Sequence, residues 1–257
     1  MKKLPVITAL LVAILHFSCT EKEEIESLKS AYADDFYIGT ALNSAQIAEE
    51  DSSANAVLES DFNSITPENI MKCEVIHTEW DKYDFNEADK FVAFGQKNKM
   101  FVVGHTLIWH SQLSPFVQKI TTADSLRLFM ENHINTIAGR YSGKVNGWDV
   151  VNEALEEDGT LRKSIFLEKL GEGYLAEAFK LAEKAAPNTE LYYNDYNIEQ
   201  PAKRAGAIEL IKKIQASGAR IDGVGIQGHW SINGPPIADL EKSIEEFSAL
   251  GLKVMIT

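Results

Sequence analysis

The sequence predicts an α/β fold, a (β/α)8 barrel with the eighth βα unit missing from the chain. Three observations carry that expectation. From residue 35 onward, short β-rich runs alternate strictly with longer helical ones, the pattern of a parallel sheet with helical crossovers. The β-rich runs are apolar without a two-residue alternation, as strands buried on both faces are. Polar residues fall at the C-terminal ends of different strands: Glu68 and Asn69, His105, Glu153, Asn194 and Asp195, Gln227 and His229. A barrel gathers all those ends on one face, whereas a doubly wound open sheet uses mainly one switch point. No G-x-G-x-x-G or Walker-type loop supports a nucleotide fold.

Residues 36–42 (FYIGTAL) read as the first strand and 45–60 as its helix. Residues 62–66 form the second strand, stopped by Pro67, and 85–98 show helical spacing. The third strand, 100–108 (MFVVGHTLI), is apolar throughout except at His105. A helix over 122–140 opens on a threonine-rich start, strand four covers 145–151, and a helix over 164–186 is closed by Pro187. Strands at 190–195, 223–228 and 252–257 alternate with helices at 202–217 and 237–250, both ended by glycine. With seven strands the sheet cannot close, so 36–42 and 252–257 are expected as unpaired edges.

The chain has 257 residues, 45% of them hydrophobic, and a net charge of −13 spread along its length. That is enough chain for a large core. The acidity argues against nucleic acid, whose phosphates it would repel, and leaves a neutral ligand such as a sugar open. The first 18 residues read as a targeting segment: Lys2 and Lys3, then an apolar run over 4–17 too short to span a membrane comfortably. Ser18-Cys19 and an acidic flank follow, in the manner of a lipoprotein signal with Cys19 lipidated. The expected organisation is a leader over 1–18, a tether over 19–34 and a barrel over 35–257, with the protein held at the cell envelope, facing the surface or periplasm. An N-terminal lipid would be its only membrane contact. Cys73 is the one other cysteine, so no internal disulfide or cysteine metal site is expected, and Cys73 reads as a packed thiol.

The densest signal is VNGWDVVNEAL, residues 145–155: a buried-strand pattern that ends in an amide and a carboxyl, Asn152 and Glu153. Alone, Glu153 reads as a solvated loop carboxylate and Asn152 as a loop cap. A strand delivering an acid where the loop begins is also what a barrel does at its active face.

Around it stand Thr66-Pro67-Glu68-Asn69-Ile70-Met71-Lys72, Gly104-His105-Thr106-Leu107-Ile108-Trp109-His110-Ser111-Gln112, Tyr193-Asn194-Asp195-Tyr196-Asn197 and Gly225-Ile226-Gln227-Gly228-His229. With Trp148 to Glu153, these five motifs, in this order, resemble the strand-end motifs of glycoside hydrolase family 10. The resemblance covers nearly everything after the leader. It implies a retaining endo-β-1,4-xylanase on a (β/α)8 barrel, acting on β-1,4-xylan and xylo-oligosaccharides without metal or other cofactor.

Retaining glycosidases use a carboxylic acid that protonates the leaving oxygen and a carboxylate nucleophile about 5–5.5 Å away. By the resemblance Glu153 is the acid/base, protonated for the first step and ionised for the second. Asn152 would bond the sugar's 2-hydroxyl. Glu68, Asn69 and Lys72 would bind the non-reducing-side xylose, and His105, Trp109 and Gln112 would floor the sugar at the cleavage point. Gln227 and His229 would hold the nucleophile, and Tyr196 would line the leaving-group side. His105 and His110 lack the H-E-x-x-H spacing and a third ligand, so no zinc site is expected. Trp80, Trp148 and Trp230 read as packing residues.

Two departures matter. Cys73 stands where the family usually has tryptophan. The family's nucleophile is a glutamate directly after Ile-Thr, and the sequence stops at Ile256-Thr257. The expectation is therefore an acid and its supports without a nucleophile, and no activity from these residues alone. Two rivals stand beside it: a non-catalytic glycan-binding surface lipoprotein, and a β-1,4-glucanase of the same fold.

Overall fold

The computed structural model describes residues 27–257; the expected leader, Cys19 and the first part of the tether lie outside the described residues. Among the described residues there are nine strands: β1 (Gly39–Leu42), β2 (Ser64–Pro67), β3 (His77–Glu79), β4 (Lys82–Tyr83), β5 (Phe101–Trp109), β6 (Gly147–Asn152), β7 (Glu190–Tyr196), β8 (Gly223–Gln227) and β9 (Lys253–Ile256). Seven of them form one parallel sheet in the order β1-β2-β5-β6-β7-β8-β9. This is an open half-barrel, an incomplete (β/α)8 barrel. Every residue of β6 and β8 is buried, whereas three of the four in β1 and all four in β9 are not. Burial thus fades towards the two edges that the sequence predicts.

Register sets the site. Trp109 pairs with Asn152, Asn152 with Asn194, and Tyr196 with Gln227. The C-terminal ends of β5 to β8 therefore lie side by side. Close packing beneath them depends on Gly104, where a Cβ would stand 2.2 Å from the ring of Trp148, itself fully buried.

Amphipathic helices cover the sheet. In Asn86–Lys97 the buried positions are Ala88, Phe91, Val92, Phe94 and Gly95, one stripe at helical spacing. Helix Ala123–Arg140 starts where the threonines predict, with the Thr122 hydroxyl accepting the Ser125 N–H. Two expected helices are each split. The first becomes Ser44–Ile47 and Ser52–Asp61, because Asp51 caps a fresh start by accepting from Ser53 and Ala54. The one over 164–186 becomes Ile165–Leu170 and Gly173–Ala185, broken at Gly171 with φ 70°.

The small antiparallel hairpin β3–β4 is absent from the sequence reading, since strands of three and two residues are too short to show a period. Helix Leu28–Ala31 sits within the expected tether and is tied to the body by the Leu28 N–H donating to Asp61 at 3.0 Å. No helix among the described residues is long and apolar enough to cross a membrane.

Candidate active site

Glu153 is the first residue past β6 and has φ 57°, a left-handed conformation uncommon outside glycine. Its N–H donates to Asn194 O at 2.8 Å and its carbonyl accepts from Arg162 Nε at 2.9 Å. Both carboxylate oxygens are engaged: Trp109 Nε1 donates to Oε2 at 2.9 Å and Gln227 Nε2 to Oε1 at 3.2 Å. Glu153 remains partly exposed on the face formed by the strand ends.

Asn152 is buried beside it, and its Oδ1 accepts from Asn194 Nδ2 at 3.0 Å and Gln227 Nε2 at 2.9 Å. With Oδ1 occupied by two donors, the amide's Nδ2 is the group left to donate to a ligand. Thr257 closes the chain of bonds, donating from Oγ1 to Asn194 Oδ1 at 2.8 Å.

His105 Nδ1 lies 2.8 Å from Asp149 Oδ2, and Asp149 is buried. An ionised carboxylate can only accept, so Nδ1 is the donor in this contact. The rings of His105 and Trp109 are 6.2 Å apart. Lys72 Nζ lies 5.1 Å from the Trp109 ring centre and donates to Asn69 Oδ1 at 2.9 Å. Burial lowers the Lys72 ammonium pKa, against the opposing pull of Glu68, Glu153 and Glu74. Glu68 and Asn69 are exposed at the mouth of this face.

Gln112 bonds Glu74 at 2.8 Å. Tyr196 accepts at its hydroxyl from Arg162 Nη2 at 2.8 Å. Glu153, Asn152, Trp109 and Gln227 are in direct contact, with Lys72 over the Trp109 ring and His105 near it. Gln112 and Tyr196 are directed to neighbours at the rim, and His229 is exposed. Gln227 is engaged with the Asn152–Glu153 pair.

Several participants escaped the sequence reading. Asp149 sits mid-strand and gave no strand-end signal, yet it holds His105. Arg162 lies in a loop outside every motif. Asp195 was read as a strand-end polar residue with no role of its own, but it is fully buried, with Lys203 Nζ 3.0 Å from its Oδ1. Burial pushes the Asp195 carboxyl up to about 6, Lys203 opposing and Glu153 adding to the shift. Cys73 is buried, 3.9 Å from Ser114 Oγ, and burial pushes its thiol up. Among the described residues no group of three or more His, Cys, Asp or Glu could hold a metal ion.

Residues 27–257 match the profile of glycosyl hydrolase family 10. The chain belongs to glycosyl hydrolase family 10. Endo-1,4-beta-xylanase A of Xylanibacter ruminicola is 42% identical over 236 residues, 90% of this chain and 64% of that protein. The chain thus spans a little under two thirds of that relative's length. A family 10 endoxylanase retrieved from a sugarcane soil metagenome is 41% identical, with a TM-score of 0.86 over 90% of this chain and 69% of its own. Xylanase 10B of Thermotoga petrophila, solved with xylobiose, is 37% identical, with a TM-score of 0.85 over 89% and 71% of the two chains.

Proposed function

We propose that this chain carries the acid/base half of a retaining endo-β-1,4-xylanase site, and that the whole protein hydrolyses internal β-1,4-xylosidic bonds of xylan. The carrying observation is the arrangement at Glu153. A strand-end carboxyl is oriented by Trp109 and Gln227 beside an Asn152 whose Nδ2 is left to meet a sugar hydroxyl.

In the first half-reaction Glu153 gives its proton to the glycosidic oxygen as the C1–O bond breaks, and a carboxylate bonds to C1. In the second, Glu153 takes a proton from water as that water displaces the carboxylate from C1. Asn152 Nδ2 would donate to the 2-hydroxyl, a contact that strengthens as C1 becomes cationic. Lys72, Asn69 and Glu68 would hold the adjoining xylose, with His105 Nε2 and the Trp109 ring beneath the sugar at the cleavage point.

The nucleophile would be a glutamate following Thr257. Residues 1–257 alone would then leave xylan intact, and the chain extended past Thr257 would release xylo-oligosaccharides. Hydrolysis by purified 1–257, abolished by Glu153→Ala, would overturn the assignment of a missing nucleophile. No hydrolysis by the extended chain would overturn the activity itself.

The leader supports envelope attachment through Cys19. Metabolic labelling with a tritiated fatty acid should mark the wild type and not Cys19→Ser.

A further inference from the structure

Glu153 keeps a backbone conformation that a non-glycine residue holds only when its surroundings enforce it. Beyond the bonds of its own N–H and carbonyl, restraints fall on the two residues after it. The Ala154 N–H donates to Tyr193 Oη at 3.2 Å and the Leu155 N–H to Asp195 Oδ2 at 3.3 Å. The Tyr193 hydroxyl in turn donates to that same Oδ2. One buried carboxylate oxygen therefore terminates both restraints.

Its other oxygen accepts from the Tyr196 N–H at 2.8 Å and faces Lys203 Nζ at 3.0 Å. Lys203 reaches this point from helix Pro201–Ala216, is itself fully buried, and sits 3.5 Å from the Tyr196 ring centre. From the opposite side Arg162 holds the carbonyls of Glu153 and Leu155.

A buried ion pair is by itself weak evidence for stabilisation, because desolvating both charges offsets much of their attraction. What distinguishes this one is where its hydrogen bonds end. We infer that Asp195 is a positioning residue for the acid/base: with Tyr193 it anchors the Ala154 and Leu155 N–H groups and so aims the Glu153 carboxyl at Trp109 and Gln227. Lys203 is the counter-charge that keeps this anchor an acceptor in a dry site. The inference rests on the reading of Glu153 as the acid/base, but its test needs no substrate.

The bond from Trp109 Nε1 to Glu153 makes that indole proton a reporter of where the carboxyl sits. In 15N-tryptophan-labelled protein Trp109→Phe and Trp80→Phe assign those two of the four indole signals, and Glu153→Ala marks the position of an unbonded Trp109. Asp195→Asn should move the Trp109 signal at least halfway to that position, with the Trp80 signal unmoved. Asp222→Asn removes a carboxylate acceptor at the opposite end of the same strands, from the Leu191 N–H, and should leave Trp109 in place. Tyr193→Phe, which deletes only the hydroxyl, should shift Trp109 in the same direction as Asp195→Asn. Folded Asp195→Asn and Tyr193→Phe proteins with an unmoved Trp109 signal would overturn the inference. Unfolding of both would overturn it too, by making the role fold-wide. Lack of xylan hydrolysis would bear on the proposed reaction and not on this result.

Discussion

Asp149 Oδ2 and His105 Nδ1 are 2.8 Å apart across the β5–β6 pair, and this part-buried contact holds a proton on Nδ1 and sets the tilt of the imidazole. Asp149→Ala leaves a buried N–H without its acceptor, at a cost of about 1–3 kcal/mol. It should lower the urea midpoint without changing the slope. Asp149→Asn can still accept at Oδ1 and should retain more than half of that stability.

His77 and His133 face each other through Nδ1 at 2.9 Å inside an aromatic shell that includes Tyr83, Phe116 and Phe129. Burial, with His77 adding, lowers His133 from 6.5 to about 3. Because the folded value is the lower one, the two states match above pH 6.5. Below it the unfolded chain takes up a proton that the folded one refuses. Stability should therefore fall from about pH 6.5 towards 3, losing about 2 kcal/mol by pH 5 through this group. His133→Leu should be less stable at pH 7.5 yet lose less between pH 6.5 and 5, as read by urea unfolding.

Gly104 is required by contact rather than by backbone angle. A methyl group there meets the Trp148 ring at 2.2 Å, inside a core with no room to shift. Gly104→Ala should cost about 1–3 kcal/mol, seen as a lower melting temperature. Gly143→Ala meets nothing but has φ 76°, so its smaller loss would come from backbone strain alone.

Cys73 is buried and its thiol is harder to ionise than usual, so its thiolate is scarce and shielded. In a Cys19→Ser background the folded protein should react with Ellman's reagent orders of magnitude more slowly than the urea-unfolded chain. A fast native reaction would mean that Cys73 is open to solvent.

The alternation of apolar strands with amphipathic stretches is a local pattern repeated along the chain. The half-barrel, its order and its two edges were therefore legible from sequence. The strand-end positions of Glu153, Asn152 and Trp109 were legible too, because each lies at the end of a largely apolar run. Asp149, Arg162 and Lys203 were not. Asp149 and Arg162 act on partners 44 and 34 residues away, His105 and Tyr196, and Lys203 turns from its helix onto Asp195; only register and burial reveal what such charges face. The break at Asp51 shows the same limit at short range, since a capping residue inside a helical period is silent until its side chain finds an N–H, while the break at Gly171 comes from a positive φ that the period does not show.

Glu153 itself gives the most direct test of the chemistry, in the protein extended past Thr257. A general acid typically contributes about 10²–10⁴-fold, and the share is largest where the leaving oxygen is most basic. Glu153→Ala should lower xylan hydrolysis by about that factor, with a much smaller effect on formation of the covalent intermediate from a dinitrophenyl xylobioside, whose phenolate leaves unprotonated. The second half-reaction still needs a base to activate water. It should stall, and added azide, which needs no deprotonation, should restart it and give a β-xylobiosyl azide. Equal losses on both substrates, with no azide effect, would assign Glu153 to binding and leave the acid elsewhere.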